Sequence, residues 1–535
     1  MKAALVAALS LAALTGCRHA PTFTPGLVNR LKETPNGYLS GEVDDIHDFL
    51  LMNNRDFVYS IASSPDSEKV AFSHLGPKTF QLGLWTLEGQ PKQVADPDVN
   101  HYEFDVEALD FSPDGRTVVA ASRDGTLRFY AADSGAPLGV YICEEPLVSV
   151  AFHSSGNYVI AGSAKGLVTV VAFPSLEFAF EQRAHEGEVR AITSTAEGMV
   201  FTGGWDKSIV AFEATEAPIP TDSARLHFER RGGYSVVRGN LDGKVAVAFA
   251  FDERAPYAVI TTEMAKLAGI DVPFLKDTAT LATPLGNTLV RLAKGHKLGF
   301  KALELDDVEV AVCDACVPGG AQGVLGAAVT DRLNVAFDQV AEEAVLTAKN
   351  PTAPATTRMT LTLKPRKRMT FDWYVNDFSV DRVGRYLGVA FSEMKAERNR
   401  AIYEREKKGI PEPLRTGDCG AIVDSHTGLI IRKWNRHEGV VSTAGISPDG
   451  QTLATGGWDK RLFVNTALER DAVAKREFGW SLRRVRFSED GRYLLVAAWT
   501  PQNPLGDQQS NPSAVVYEVS YKLPDIQGGP SAVAR

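Results

Sequence analysis

The 535 residues include only five cysteines and ten histidines, and neither type is spaced as a metal centre requires. No His-x-x-x-His pair, carboxylate-rich glycine loop, phosphate-cradling glycine loop or Ser/His/Asp arrangement is recognisable. No metal and no cofactor is therefore expected. Positive charge is in deficit as well, with 57 Lys and Arg against 66 Asp and Glu and a formal net charge of -9. Neutralising phosphates takes a basic face, so the balance argues against nucleic acid as a partner. After residue 17 no apolar run approaches the ~20 residues of a transmembrane helix. What remains is a chain too long for one ordinary core: three or four domains, or one large radially repeated β fold.

Residues 1–16 have the layout of a signal peptide: Lys2, an apolar run from Ala3 to Leu14, then small residues. Leu14-Thr15-Gly16-Cys17 resembles the lipobox of bacterial lipoproteins. That resemblance implies lipidation of Cys17, a lipid membrane as partner, and a lipid-anchored location at the cell envelope. Acyl chains would hold the tether through ~0.8 kcal/mol per buried methylene. Arg18, where Asp would favour inner-membrane retention, implies the outer membrane if the source is diderm. Ordinary secretion with cleavage elsewhere is the alternative. In an exported chain, Cys313-Asp-Ala-Cys316 is the one close cysteine pair. A local disulfide or plain thiols is expected there, with metal binding or redox chemistry as alternatives. A thioredoxin-like centre would want a following helix, whereas Val317-Pro-Gly-Gly320 reads as a turn.

The chain repeats itself. Ser112-Pro-Asp-Gly115, Ser447-Pro-Asp-Gly450 and Ser488-Glu-Asp-Gly491 each lie between two short β-patterned runs. Weaker copies start at Ser64, His153, Thr195 and Val380. Turn chemistry between alternating apolar runs predicts antiparallel hairpins. The turns recur every 41 or 42 residues from 112 to 196 and from 447 to 488, the length of one propeller blade.

Gly203-Gly-Trp-Asp-Lys207 and Gly456-Gly-Trp-Asp-Lys460 are identical pentapeptides, each preceded upstream by His-Glu-Gly at 185 and 437. In these features the chain resembles the WD-repeat family. The resemblance implies an all-β, seven-bladed WD-repeat β-propeller, with blades locked by buried His, Ser or Thr, and Asp. His185, Thr202 and Asp206 match in one blade, and His437, Thr455 and Asp459 in another, as structural residues rather than catalytic ones. Both sets depart at the Trp position, occupied by Phe212 and Asn465. Asp124 matches alone in an earlier blade. The N-terminal segment near 26–50 is expected to supply the last blade's outer strand and remove an exposed edge.

Turn residues 196 and 381 are about 185 residues apart, so the period is broken by a small domain. Arg358–Lys364 is expected as the delayed outer strand, which would put the insertion on the face opposite the His loops. Within the insert, an apolar run ends at Asp252. There follow a helix at Thr262–Ala268 closed by Gly269, a hairpin over Thr283–Thr288, and Val324-Leu325-Gly326. That order resembles the retropepsin-like, single-lobe aspartic proteases, with Asp252 in the catalytic position and a homodimer required for activity. Glu253 and Arg254 depart from the Thr/Ser and Gly of the family motif. An adjacent guanidinium favours ionised carboxylates and removes the proton that a catalytic pair must share. Asp252 is thus a catalytic residue, a relic in a retained binding fold, or a chance strand-end aspartate.

The domains expected are a signal peptide at 1–16, a tether and closing strand at 17–50, and blades 1–4 at 51–222. The insert follows at 223–352, the remaining blades at 353–524 and a tail at 525–535. Glu393–Gly417 and Thr500–Pro512 interrupt two blades on the His-loop face, where protein partners are expected to bind; solvated loops are the alternative. Lys364-Pro-Arg-Lys-Arg368 is expected as a solvated basic loop. The function expected is protein–protein interaction or scaffolding at the envelope, the alternative being an envelope aspartic endopeptidase.

Overall fold

The structure is a computed structural model. It describes residues 39, 42–52, 58–75, 80–87, 92–93, 105–143, 145–243, 245–283, 286–340, 342–349, 357–393, 418–467, 469, 471–498 and 514–522. The signal peptide, Cys17, residues 394–417, Thr500–Pro512 and the 525–535 tail lie outside the described residues.

The repeat is built on its turns. At Ser112-Pro-Asp-Gly115 the Ser112 hydroxyl donates to Asp114 Oδ1 at 2.5 Å and accepts from the Thr117 N–H at 2.9 Å. Gly115 takes the positive φ of +68° that closes the hairpin. Ser447/Asp449 and Ser488/Asp490 repeat the contact at 2.6 and 2.7 Å. Each turn joins an inner strand to a second strand, and two further antiparallel strands complete a four-strand unit.

Seven such units occur among the described residues, numbered here along the chain. Six are separate four-stranded sheets, and the fourteen-stranded sheet contains the remaining one. Unit 1 runs from Val58–Ser63 to Lys92–Gln93, unit 2 from Val106–Phe111 to Pro137–Ile142, and unit 3 from Leu147–Phe152 to Phe178–Arg183. Unit 4 combines Val189–Ser194, Met199–Gly204 and Ser208–Pro220 with the distant strand Thr357–Thr370. Units 5 and 6 begin at Tyr374–Val380 and Val441–Ile446. Unit 7 holds Leu482–Phe487, Tyr493–Ala498 and Ala514–Tyr521, and its outer strand is the N-terminal Val43–Met52. The chain is all-β apart from short helical turns, and its architecture is a β-propeller.

Apolar clusters fill the gaps between successive units and close the circle. Val119 and Leu127 pack with Val159, and Val464 with Leu494. Val58 and Phe72 of unit 1 pack with Leu495 and Val516 of unit 7. Burial of this kind is the main favourable term, at roughly 25 cal/mol per Å² of apolar surface removed from water.

The insert leaves unit 4 between its third and fourth strands. Two observations correct the expected arrangement. The delayed strand is Thr357–Thr370, longer than Arg358–Lys364, and it pairs with Ser208–Pro220 along its whole length. Only its second half flanks the unit; the first half forms a two-stranded ribbon. The body of the insert then lies against the outer strands of units 2 and 3 and not on the face opposite the His loops. Val245 pairs in parallel with Ile142, Ala246 joins the cluster of Tyr141 and Phe178, and Arg238 forms an ion pair with Glu181.

Within the insert, strand Val245–Phe251 pairs in parallel with Gly323–Leu325, which pairs antiparallel with Ala258–Ile260. Helix Thr262–Leu267 is capped by Thr261, and Gly269 follows it at φ +78°. Phe228, Phe249, Phe300 and Leu325 are among the residues of its own buried core.

Candidate functional site

The two His-Thr-Asp sets come together. His185 Nδ1 lies 2.9 Å from Asp206 Oδ1, and its Nε2 lies 2.8 Å from Thr202 Oγ1. His437 repeats this with Asp459 at 2.9 Å and Thr455 at 3.0 Å. Burial alone would raise both aspartates, but the bond and charge of the histidine outweigh it and hold each carboxyl below its ordinary range. Each set ties the loop entering a unit to that unit's second strand and following turn. Asp124 bonds Thr126 Oγ1 at 2.6 Å and the Thr126 N–H at 2.9 Å, a local turn.

The missing tryptophans are compensated in two ways. Phe212 is buried at 1% exposure in the core between units 3 and 4. Asn465 accepts from Arg436 Nε at 2.7 Å. The basic cluster is no solvated loop: Lys364–Arg368 is strand, and Arg366 pairs with Glu213. Arg368 donates to Ser208 Oγ at 2.7 Å and Asp206 Oδ2 at 3.1 Å, adding an outer-strand link to the His185 set. Units 3 and 5 hold substitutes that the WD pattern did not single out. Ser163 donates to Glu145 Oε2 at 2.5 Å, and Ser392 to Asp418 Oδ1 at 2.5 Å. The two share only a serine closing a second strand, since the carboxylate stands 18 residues before it in unit 3 and 26 after it in unit 5.

Charged residues on the inner strands were also missed. Asp377 in unit 5 is buried and accepts from Arg484 at 2.8 Å and Arg486 at 2.7 Å, both from unit 7, and from Thr443 of unit 6 at 2.6 Å. Burial would raise its carboxyl, but the two guanidiniums outweigh it and lower it, while burial pushes Arg484 down to about 10. Glu107 in unit 2 is bonded by Arg123 at 2.7 Å and approached by Arg483 at 3.8 Å. Burial would raise Glu107, yet the surrounding arginines hold it at about 2. Glu188 bonds Arg190 at 3.0 Å and Arg123 at 3.4 Å. These pairs lace non-adjacent units together across the intervening inner strands. The signal was charge, including Arg483-Arg484-x-Arg486, in strands otherwise apolar.

In the insert, Asp252 stands at the end of its strand, its N–H donating to Leu325 O at 3.2 Å. Gly326 is required there: a Cβ would stand 2.1 Å from Tyr257 O and 2.4 Å from Ala255 O. Arg254 holds Asp252 by a two-point contact, Nε to Oδ1 and Nη2 to Oδ2 at 2.7 Å each. Its guanidinium also donates to the Tyr234 hydroxyl at 3.2 Å. The Arg254 hydrogen bond holds the Asp252 carboxyl below its ordinary value. Both carboxylate oxygens are therefore committed to a cation, which is the opposite of a proton-sharing acid. Cys313 and Cys316 form a disulfide, and Asp314 between them caps helix Thr262–Leu267 through Thr262 N–H at 2.7 Å and Oγ1 at 2.8 Å. Cys143 and Cys419 are buried free thiols.

The ring of antiparallel units thus defines a β-propeller, and comparison with known proteins shows that it carries WD40 repeats. The profile described as WD domain, G-beta repeat, matches residues 98–130 and 428–464. The chain is similar to the guanine nucleotide-binding protein subunit beta of Nicotiana tabacum, 29% identical over 171 residues that cover 28% of this chain and 45% of that protein. It is also similar to eukaryotic translation initiation factor 3 subunit I of Phaeosphaeria nodorum, 39% identical over 97 residues that cover 18% of this chain and 27% of that protein. The chain spans less than half the length of these relatives. Among solved structures it resembles that of U3-55K at a TM-score of 0.45 and 10% identity, with 89% of this chain and 99% of that chain covered.

Proposed function

We propose that the chain is a membrane-anchored bacterial lipoprotein that acts as a protein–protein interaction or scaffold module at the cell envelope. Its seven four-strand units are read as the blades of one propeller within 51–222 and 353–524, closed by the N-terminal strand Val43–Met52, and its 223–352 insert as a retropepsin-like module that no longer catalyses. One observation carries the reading. The polar sets of the WD pattern are buried and bonded to one another, so they hold strands and leave the turn ends as the presenting surface. The names of the two relatives are those of subunits, which favours an assembly role. Anchoring through Cys17 rests on the Leu-Thr-Gly-Cys sequence.

The retropepsin-like reading is supported by the strand that ends at Asp252 lying parallel to Gly323–Leu325, with Gly326 fitted under the Asp252 turn. The same site supports loss of catalysis, because Arg254 occupies both oxygens of Asp252. The competing function is an envelope aspartic endopeptidase, dimeric through Asp252. Purified soluble protein incubated with unfolded polypeptide at acidic and neutral pH, beside Asp252→Asn, separates the two. The scaffold reading expects no cleavage in either; cleavage lost only in Asp252→Asn would establish the peptidase. For the loop face, a pull-down from envelope extract compares the full chain with one lacking 393–417 and 500–512. Retention of every partner would overturn the loop-face assignment.

A further inference from the structure

We propose that the end of the central channel on the Ser-Pro-Asp-Gly turn face receives a lysine or arginine side chain of a protein partner. A cavity of about 440 Å³ lies there, walled by the second halves of the inner strands and rimmed by Pro65, Pro113 and Pro448. This is the size range of pockets that take small ligands or a protruding side chain. The turns that rim it join first to second strands, so it lies at the opposite end of the units from Ser392 and Ala498, where two second strands end.

The lining fixes the sign of the occupant. Asp110, Asp381 and Glu489 contribute three carboxyl groups, and Arg382, Arg484 and Arg486 also reach it. Arg484 and Arg486 are already bound to Asp377. Arg382 turns a guanidinium N–H to the Glu489 main-chain carbonyl at 3.4 Å. Among the described residues Asp110 accepts main-chain N–H groups, from Phe111 at 2.9 Å and Phe152 at 2.7 Å. Asp381 likewise accepts the Tyr386 N–H at 2.9 Å. With Asp377 counted, four carboxyl groups face these three arginines, an excess of one carboxyl. At the other end of the same strands, Glu107, Glu188 and Asp377 are each bonded to arginine. The channel is thus satisfied at one end and acidic at the other. Burial raises two of the cavity acids, Asp110 to about 7 and Asp381 to about 6. A cation seated among them would restore the ionised forms and gain from a low-dielectric wall. Phe111, Phe152 and Phe378 supply apolar surface for the methylene stem of such a side chain.

The inference rests on the protein-binding reading but not on the loop face. The test titrates the full-length soluble chain with acetyl-Gly-Lys-Gly-amide and acetyl-Gly-Glu-Gly-amide at pH 7.5, by ligand-observed NMR. The lysine peptide is expected to bind with Kd on the order of 1 mM, as a fragment of a larger interface, and the glutamate peptide to give no response. Glu489→Gln, whose side chain makes no hydrogen bond among the described residues, should keep the melting temperature and weaken the lysine peptide roughly 5-fold. Equal binding of the two peptides, no binding of the lysine peptide, or unchanged affinity in Glu489→Gln each overturns the proposal. Lysine-peptide binding that survives removal of 393–417 and 500–512, beside unchanged envelope partners, would reject the loop face alone. Lost partners without lysine-peptide binding would reject this site alone.

Discussion

Asp459 of the ring and Asp252 of the insert are both strand-end aspartates held by a nitrogen partner, yet they do different work. Asp459 reaches His437, 22 residues earlier, and through it Thr455, with the Asp459 and His437 side chains at most 6% exposed. It joins a loop, a strand and a turn that chain entropy would otherwise separate. Asp252 reaches Arg254, two residues on, whose side chain is 80% exposed. That contact only shapes its own turn and is screened by water. The value of a charged contact to a fold thus depends on what it connects and how dry it is.

The comparison is tested most severely at Asp377, which ties unit 5 to unit 7. Asp377→Ala leaves two guanidiniums without their shared carboxylate in a buried wall, and should cost about 3–5 kcal/mol in urea unfolding. A loss below about 1 kcal/mol would show that inter-unit pairs do not hold the ring.

His437→Ala comes next. It removes the bridge between Asp459 and Thr455 and should cost about 2–3 kcal/mol, the penalty of buried polar groups left without partners. Because the Asp459 carboxyl is lowered in the folded state, its contribution is present above its unfolded pKa of about 3.9 and is lost as pH falls through its folded value. The variant should therefore differ from the parent at neutral pH and approach it in acid. A constant difference down to the lowest pH at which the chain folds would place the effect in packing.

Gly326→Ala transfers the test to the insert. The added Cβ meets two main-chain carbonyls, which cannot swing away, so a local cost of about 1–3 kcal/mol is expected. Hydrogen exchange should rise in Ala258–Ile260 and helix Thr262–Leu267 while the strands of units 5 to 7 keep their protection. Exchange rising equally in the ring would mean that insert and propeller unfold as one.

How far the sequence exposes these features follows from the range of the contacts. The Ser-Pro-Asp-Gly turns are legible because every bond of the motif closes within five residues. The His-Thr-Asp sets are legible because four or five spaced residue types recur twice in one chain. Asp377 with Arg484 and Arg486 has no such local signature, since its partners stand more than 100 residues away. Nor does the seat of the insert: Arg238 with Glu181, and Ala246 beside Tyr141, follow from how the ribbon bends back along units 2 and 3. Periodicity locates where the insert leaves the ring but holds no information about that bend. Arg368 shows a third limit, because a basic run reads as solvated until a strand pairing brings it beside Asp206.

The smallest effect, and the sharpest for function, is expected at Arg254. Arg254→Ala removes both bonds to Asp252 and its reach to Tyr234, but the guanidinium is largely in water, so the melting temperature should move by no more than about 2 °C. What should change is the acid itself. With the side-chain hydrogen bond that lowers it removed, the Asp252 carboxyl should rise, followed by NMR titration of its side chain. Stability in acid should change little, since a pair exposed this far contributes little in either protonation state. The variant should also remain without peptidase activity, because Glu253 still stands where a small hydroxyl residue is needed. Cleavage of unfolded polypeptide by Arg254→Ala, abolished on adding Asp252→Asn, would show instead that the guanidinium alone silences a working protease fold.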